Sequence, residues 1–211
     1  MVKTFIFDIG NVLFEFTPIK MVKSVIGEHI DANYLAKIIF DRKYWDKLDL
    51  DEITIEDEKE DLKNMLPPHL YPLACQILDN WLNEITPIEG IEELLSLLKE
   101  RGFKLYYLSN ICSQFLDERY KYSHIKRILD FFDGGVISGP LHIVKPNRYI
   151  YEHLLKKYSI KIDDALYIDD SQKNIDAGKN IGLLTYLFDG DVDKLRHYIE
   201  KNTLAINKKC K

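Results

Sequence analysis

Val2-Lys-Thr-Phe-Ile-Phe-Asp8-Ile-Gly10-Asn11 opens the chain with a β-rich, mostly apolar run that stops at a polar, glycine-marked turn. It reads as a buried strand that delivers a carboxylate to its carboxyl end. The same grammar recurs three times: Lys104-Leu-Tyr-Tyr-Leu108 runs into Ser109-Asn110, Gly135-Val-Ile137 into Ser138-Gly139, and Ala165-Leu-Tyr-Ile168 into Asp169-Asp170-Ser171. A fifth run, Leu184 to Phe188, ends at Asp189-Gly190. Helical patterns fill the gaps at Ile88 to Arg101, Arg148 to Tyr158 and Lys173 to Ile181, with Gly102 and Gly182 placed as helix stops. Strands alternating with amphipathic helices predict an α/β fold, a Rossmann-like parallel sheet covered on both faces. In such sheets ligands bind beyond the carboxyl ends of the strands, where the polar residues just named should converge.

Roughly seventy residues separate the first strand from the helix at Ile88, where an ordinary crossover needs only a few. Apolar residues at helical spacing, Met21-Val22-Val25-Ile26, Leu35-Ile38-Ile39 and Leu73-Ile77-Leu78-Trp81, make this stretch an inserted helical domain. Pro18 and Thr86-Pro87 punctuate the two crossings, which predicts a core of residues 1–16 and 86–211 and a helical insertion of residues 17–85. Tyr44-Trp45-Asp46 and Trp81 are aromatic candidates for the entrance to a site, although packing inside the insertion accounts for both tryptophans better. The acidic run Asp49 to Asp61 reads as a solvated helix face, and the Lys-rich end from Asn207 as a frayed terminus.

With 211 residues, 46% of them apolar, the chain can bury a core without disulfide or metal staples. Its 29 Lys plus Arg and 34 Asp plus Glu are interspersed and leave a net charge of -5, which argues against nucleic acid as a partner. Cys75, Cys112 and Cys210 include no close pair, so neither a disulfide framework nor a zinc motif is indicated, and a reducing cytoplasm fits best. There is no signal-peptide-like start and no run of about twenty apolar residues, so no membrane association is expected.

Alone, Asp8 followed by Gly10 and Asn11 is accounted for by an Asx-type turn. Asp169-Asp170 changes that reading, because a helix cap explains one carboxylate and not two. Three carboxylates meeting at a sheet edge force one to take up a proton unless a cation is present, and an all-oxygen donor set favours Mg2+. Lys145, beside Pro146, is read as opening a helix, where its charge opposes the macrodipole and asks for a partner. Ser109-Asn110 offers a hydroxyl and amides of the kind that hold a phosphoryl oxygen.

In this order, the sequence resembles the haloacid dehalogenase-like (HAD) hydrolase superfamily along essentially its whole length. Phe7-Asp8-Ile-Gly10-Asn11-Val12, Leu108-Ser109-Asn110, Lys145-Pro146 and Ile168-Asp169-Asp170-Ser-Gln-Lys-Asn174 are similar to its four motifs, and the insertion is similar to its cap. The spelling is similar to the sugar-phosphate phosphatase branch, notably glucose-1-phosphate phosphatases. The resemblance implies a phosphatase acting on a small phosphate ester through an aspartyl-phosphate on Asp8, as a monomer or weak homodimer. Lys145 would stabilise Asp8 and the transferring group. Ser109, Asn110 and Asn11 would contact the phosphate, Asp8, Gly10, Asp169 and Asp170 would hold Mg2+, and Asn174 would brace the loop.

Two departures matter. The usual second Asp of the first motif is Gly10 here, so the family's general acid/base is missing, and a glycine often found before the motif-three lysine is His142. Without an acid, a hexose 1-phosphate should be a better substrate than the 6-phosphate, unless Asp46 or His142 substitutes. The rival readings are a metal-free haloacid dehalogenase, which Asp169-Asp170 disfavours, and a silent binding module, supported only by Gly10. The cap should close over the site and favour small soluble phosphates over phosphoproteins.

Overall fold

The structure, a computed structural model, describes residues 2–204. Cys210 and the Lys-rich end lie outside the described residues. β1 (Thr4–Phe7) is followed by a short strand, β2 (Phe14–Glu15), and by five helices: α1 (Pro18–Ile26), α2 (Ala32–Ile39), α3 (Arg42–Leu48), α4 (Ile55–Met65) and α5 (Tyr71–Glu84). β3 (Thr86–Pro87) returns the chain by pairing antiparallel with β2, Phe14 opposite Pro87. This clasp at the two crossings is too short to be seen in a hydropathy pattern.

The remaining chain alternates: α6 (Ile91–Glu100), β4 (Lys104–Ser109), α7 (Ser113–Glu118), α8 (Ser123–Leu129), β5 (Gly134–Ile137), α9 (Arg148–Lys157), β6 (Ala165–Asp169), α10 (Gln172–Asn180), β7 (Leu184–Leu187) and α11 (Val192–Ile199). The five longer strands form one parallel sheet in the order β5-β4-β1-β6-β7. The parallel α/β sheet with an inserted helical cap is the expected architecture. The apolar spacing predicts that α6 starts at Ile88. It begins at Ile91, because Gly90 takes a left-handed φ of 79° and breaks the run. α7 and α8 had no strong sequence signal.

β1 occupies the centre of the sheet, and its side chains alternate between two cores. Phe5 and Phe7 pack with Leu94, Leu98, Ile128 and Leu195 on one face, while Ile6 packs with Ile150, Tyr151, Leu154 and Ile175 on the other. The first of these cores continues without a break into the cap, through Leu35, Ile39, Trp81 and Leu82. Each fully buried side chain of this size contributes about 1.5–3 kcal/mol. The cap therefore shares an interior with the sheet. Among the described residues no helix is long and apolar enough to cross a membrane.

The acidic run from Asp49 to Asp61 is more than a solvated face. Its helical part, α4, starts with a capping box in which the Thr54 hydroxyl accepts from the Asp57 amide at 3.2 Å and the Asp57 carboxylate accepts from the Thr54 amide at 2.8 Å. Glu58, however, is fully buried, and among the described residues neither of its carboxylate oxygens has a partner. Burial pushes its carboxyl up to about 8, against the pull of Lys43. A carboxyl raised on folding holds the native state best below its unfolded value of 4.5 and loses that stabilisation as pH climbs through about 8. Glu58→Met is therefore expected to raise the unfolding free energy at pH 8 by about 1–3 kcal/mol, the usual cost of an unsatisfied buried polar group. The gain should shrink toward pH 5, as read by urea unfolding of both proteins at the two pH values.

Candidate active site

The carboxyl ends of β1, β4 and β6 lie side by side, so Asp8, Ser109 and Asp169-Asp170 reach one crevice. Its centre is an ammonium group. Lys145 Nζ stands 2.8 Å from Asp8 Oδ1 and 2.7 Å from Asp169 Oδ2, and donates to the main-chain carbonyl of Leu108 at 2.9 Å. Lys145 does not open a helix: α9 begins at Arg148 with Asn147 as its cap, its side chain accepting from the Tyr149 amide. The macrodipole is thus not what calls for a partner. Burial is, since Lys145 is only 4% exposed and Asp169 fully buried, and a buried charge needs compensation.

The two acidic partners differ. Asp169 also accepts from the Ser171 amide at 2.8 Å, from Asn174 Nδ2 at 3.0 and 3.1 Å, and from the Tyr167 hydroxyl. Burial and the neighbouring Asp169 hold the Tyr167 hydroxyl protonated, well above its ordinary range. Asp8 accepts from the Ile9 amide at 2.7 Å. Burial pushes its carboxyl up to about 6, with Lys145 pulling it down and Asp169 adding to the rise. The two carboxylates and the balancing ammonium form one tightly coupled unit.

Asp170 is open to solvent on one side, and the protein packed around its other side, together with the neighbouring Asp169, raises its carboxyl. Carboxylate oxygens of Asp8, Asp169 and Asp170 lie within 4.8 Å of one another. Asp8 and Asp170 also border a cavity of about 780 Å³ with Gly10, Ser109 and Lys145. This cluster of hard oxygen donors, with an open carboxylate on one side, suits a small divalent cation.

Three expected contacts take more particular forms. Asn110 locks the main chain of Lys145, accepting from its amide at 2.7 Å and donating to its carbonyl at 3.1 Å. Asn11 sits in the left-handed region at φ 53°, and its side-chain oxygen accepts from the Phe16 amide at 3.0 Å. Asn174 bonds Asp169 directly, as above. Trp45 and Trp81 meet edge to face at 5.2 Å inside the cap, and both also border the cavity, with Phe16 and Phe40 beside them. Asp46 and His142 do not border it. Asp46 is exposed and paired with Arg42 at 2.8 Å, while the His142 ring Nδ1 donates to the Leu50 carbonyl at 2.6 Å.

A model of the haloacid dehalogenase-like hydrolase family matches residues 2–182, and the chain belongs to this family of hydrolases. Over 189 residues it is 25% identical to the sesquiterpene phosphatase astK of Aspergillus oryzae, covering 86% of this chain and 87% of that protein. Over 194 residues it is 23% identical to the D-ribitol-5-phosphate phosphatase of Bacteroides thetaiotaomicron, covering 88% and 91%. The fold matches a HAD-family enzyme of the same bacterium, crystallised with magnesium and inorganic phosphate, at a TM-score of 0.66 and 20% identity over 92% of this chain and 99% of that one.

Removing the ammonium leaves two buried carboxylates facing each other. Lys145→Met is expected to cost about 3–5 kcal/mol of unfolding free energy in metal-free buffer. Adding Asp8→Asn in the same chain should recover part of that loss, as measured by urea midpoints.

Proposed function

We propose that this chain is a Mg2+-dependent phosphatase that hydrolyses a small phosphate monoester through an aspartyl-phosphate on Asp8. The observation that carries it is the buried Lys145 ammonium gripping Asp8 beside the open carboxylate of Asp170. Phosphoryl transfer asks chiefly for in-line positioning and charge neutralisation, and this arrangement offers both.

Lys145 holds Asp8 ionised in the face of burial, and its ammonium and the Ile9 amide both engage Asp8 Oδ1, so Oδ2 is the oxygen left to attack phosphorus. Asn110 and Asp169 in turn fix Lys145 from its main chain and its ammonium. Ser109, bordering the cavity at the end of β4, would donate its hydroxyl to a phosphoryl oxygen. Asp8, Asp170 and the Gly10 carbonyl would hold Mg2+, with Asp169 beside them, and the ion supplies charge neutralisation at the phosphoryl group. Asn174 and Ser171 keep the Asp169 loop in place.

The sugar-phosphate reading is supported by the aromatic wall of Phe16, Phe40, Trp45 and Trp81, since such rings stack on the C–H face of a sugar. Dehalogenation of an anionic haloacid is disfavoured by the Asp169-Asp170 carboxylates clustered with Asp8. The enclosing cap favours small esters over phosphoproteins.

A panel of phosphate esters assayed with the purified chain is expected to show turnover with Mg2+ and none in excess chelator. Asp8→Asn should reduce the rate to that of buffer while leaving the urea unfolding transition cooperative. Undiminished turnover in Asp8→Asn, or in chelator, would falsify the reading.

A further inference from the structure

Position 10 carries no side chain, although there is space for one: a Cβ built there meets nothing within 4 Å. The β1 loop therefore offers no acid to a departing alcohol. Among the described residues bordering the cavity there is no His, Cys, Tyr or Glu, and the carboxyls are those of Asp8, Asp170 and Asp49. Asp8 and Asp170 already have work at the phosphoryl group. Asp49, the residue that follows α3 as its cap, is left over. Resting on the phosphatase reading of the same site, we infer that Asp49 is the general acid and base of the reaction, contributed by the cap in place of the group missing at Gly10.

Two further observations support this assignment. The segment that carries Asp49 is fastened to the core by three consecutive residues. The Asp49 carbonyl accepts from the Ser138 hydroxyl at 2.5 Å, the Leu50 carbonyl from His142 at 2.6 Å, and the Asp51 carboxylate from the Ser113 amide at 2.9 Å and the Ser113 hydroxyl. Gly139 lies directly beneath Asp51, where a Cβ would sit 2.6 Å from its carboxylate. This clamp fixes the Asp49 backbone against Ser113, Ser138 and His142 of the core, yet among the described residues no hydrogen bond or ion pair engages the Asp49 carboxyl itself. A proton-transfer group needs that combination of a held backbone and a side chain free to meet a ligand.

The local charges agree. Burial pushes the Asp49 carboxyl up to about 7, with Asp46 on its own helix and Asp8 from β1 adding to the rise, and Arg42 and Lys145 opposing it. It can therefore both give and take a proton near neutrality.

The chemistry closes. Asp8 Oδ attacks phosphorus, the bond from phosphorus to the ester oxygen breaks, and Asp49 gives its proton to the leaving oxygen, releasing the alcohol. The resulting Asp49 carboxylate takes a proton from water as that water attacks the phosphorus of aspartyl-phosphate. The bond from phosphorus to Asp8 breaks, inorganic phosphate leaves, and Asp49 is protonated again.

The test compares benzyl phosphate with 4-nitrophenyl phosphate, esters of similar size and with no hydroxyl on the leaving group. The nitrophenoxide departs without a proton, whereas the benzyl alkoxide requires one. The readout is kcat/KM, which reports steps up to loss of the alcohol. In Asp49→Asn the ratio of aryl to benzyl kcat/KM should rise by about 10²-fold. In Asp46→Asn, which alters the exposed neighbour, the ratio should stay within about twofold of the original, far below the change expected from losing an acid. If Asp49→Asn slows both esters equally, or if only Asp46→Asn moves the ratio, the assignment of Asp49 is overturned while the phosphatase reading stands. If the unmodified protein hydrolyses neither ester, nor any other in the panel, with Mg2+, the phosphatase reading fails and the assignment with it.

Discussion

The charge of Lys145 is the constraint on which the rest of the site depends. An ammonium that is 4% exposed survives only because Asp8, Asp169 and the Leu108 carbonyl surround it. Each of those partners belongs to a different strand end: β1, β6 and β4. The parallel sheet brings the three ends to one edge, and the lysine ties them there. Such an ion cluster is a poor source of net stability, because desolvation offsets most of the attraction. What it secures is the position of the Asp8 carboxylate, the nucleophile of the proposed reaction.

The cap completes the site from the opposite side. Its apolar interior is continuous with one face of the sheet, and residues 49–51 are hydrogen-bonded to loops that follow β4 and β5. The cavity between them is walled by Phe40, Trp45 and Trp81 of the cap and by Asp8, Lys145 and Asp170 of the core. Arg42 and Asp49 add charged groups from the cap side, so a β1 loop with glycine at position 10 still faces a carboxyl across the same space.

Much of this was legible in the sequence, and the gaps have physical causes. Buried parallel strands are short apolar runs ending in small polar residues, so β1, β4, β5, β6 and β7 announce themselves, and the motif order brings out Asp8, Lys145 and Asp169-Asp170. Residue spacing says less about which polar group reaches which partner. Its position before Pro146 makes Lys145 look like a helix opener, whereas the helix starts three residues later, and nothing in the sequence shows that the Asn110 amide closes on the Lys145 backbone. Asp46 and His142 were the visible candidates for a substitute acid. α3 ends at Leu48, so helical periodicity carries no information about Asp49, and only the tertiary contacts of Ser138, His142 and Ser113 place it on the cavity side. Glu58 is likewise hidden in an acidic run that looks solvated throughout.

The central claim is that Asp8 makes a covalent bond to phosphorus, and trapping that bond tests it most directly. The protein, turning over a phosphate ester in Mg2+, is quenched in acid, reduced with borohydride and digested for peptide mass spectrometry. An acyl phosphate is reduced to the alcohol, so the account predicts homoserine at position 8 and at no other aspartate, and none when substrate is left out. An active protein that yields no reduced residue, or one reduced at Asp169, Asp170 or Asp49 instead, would contradict it.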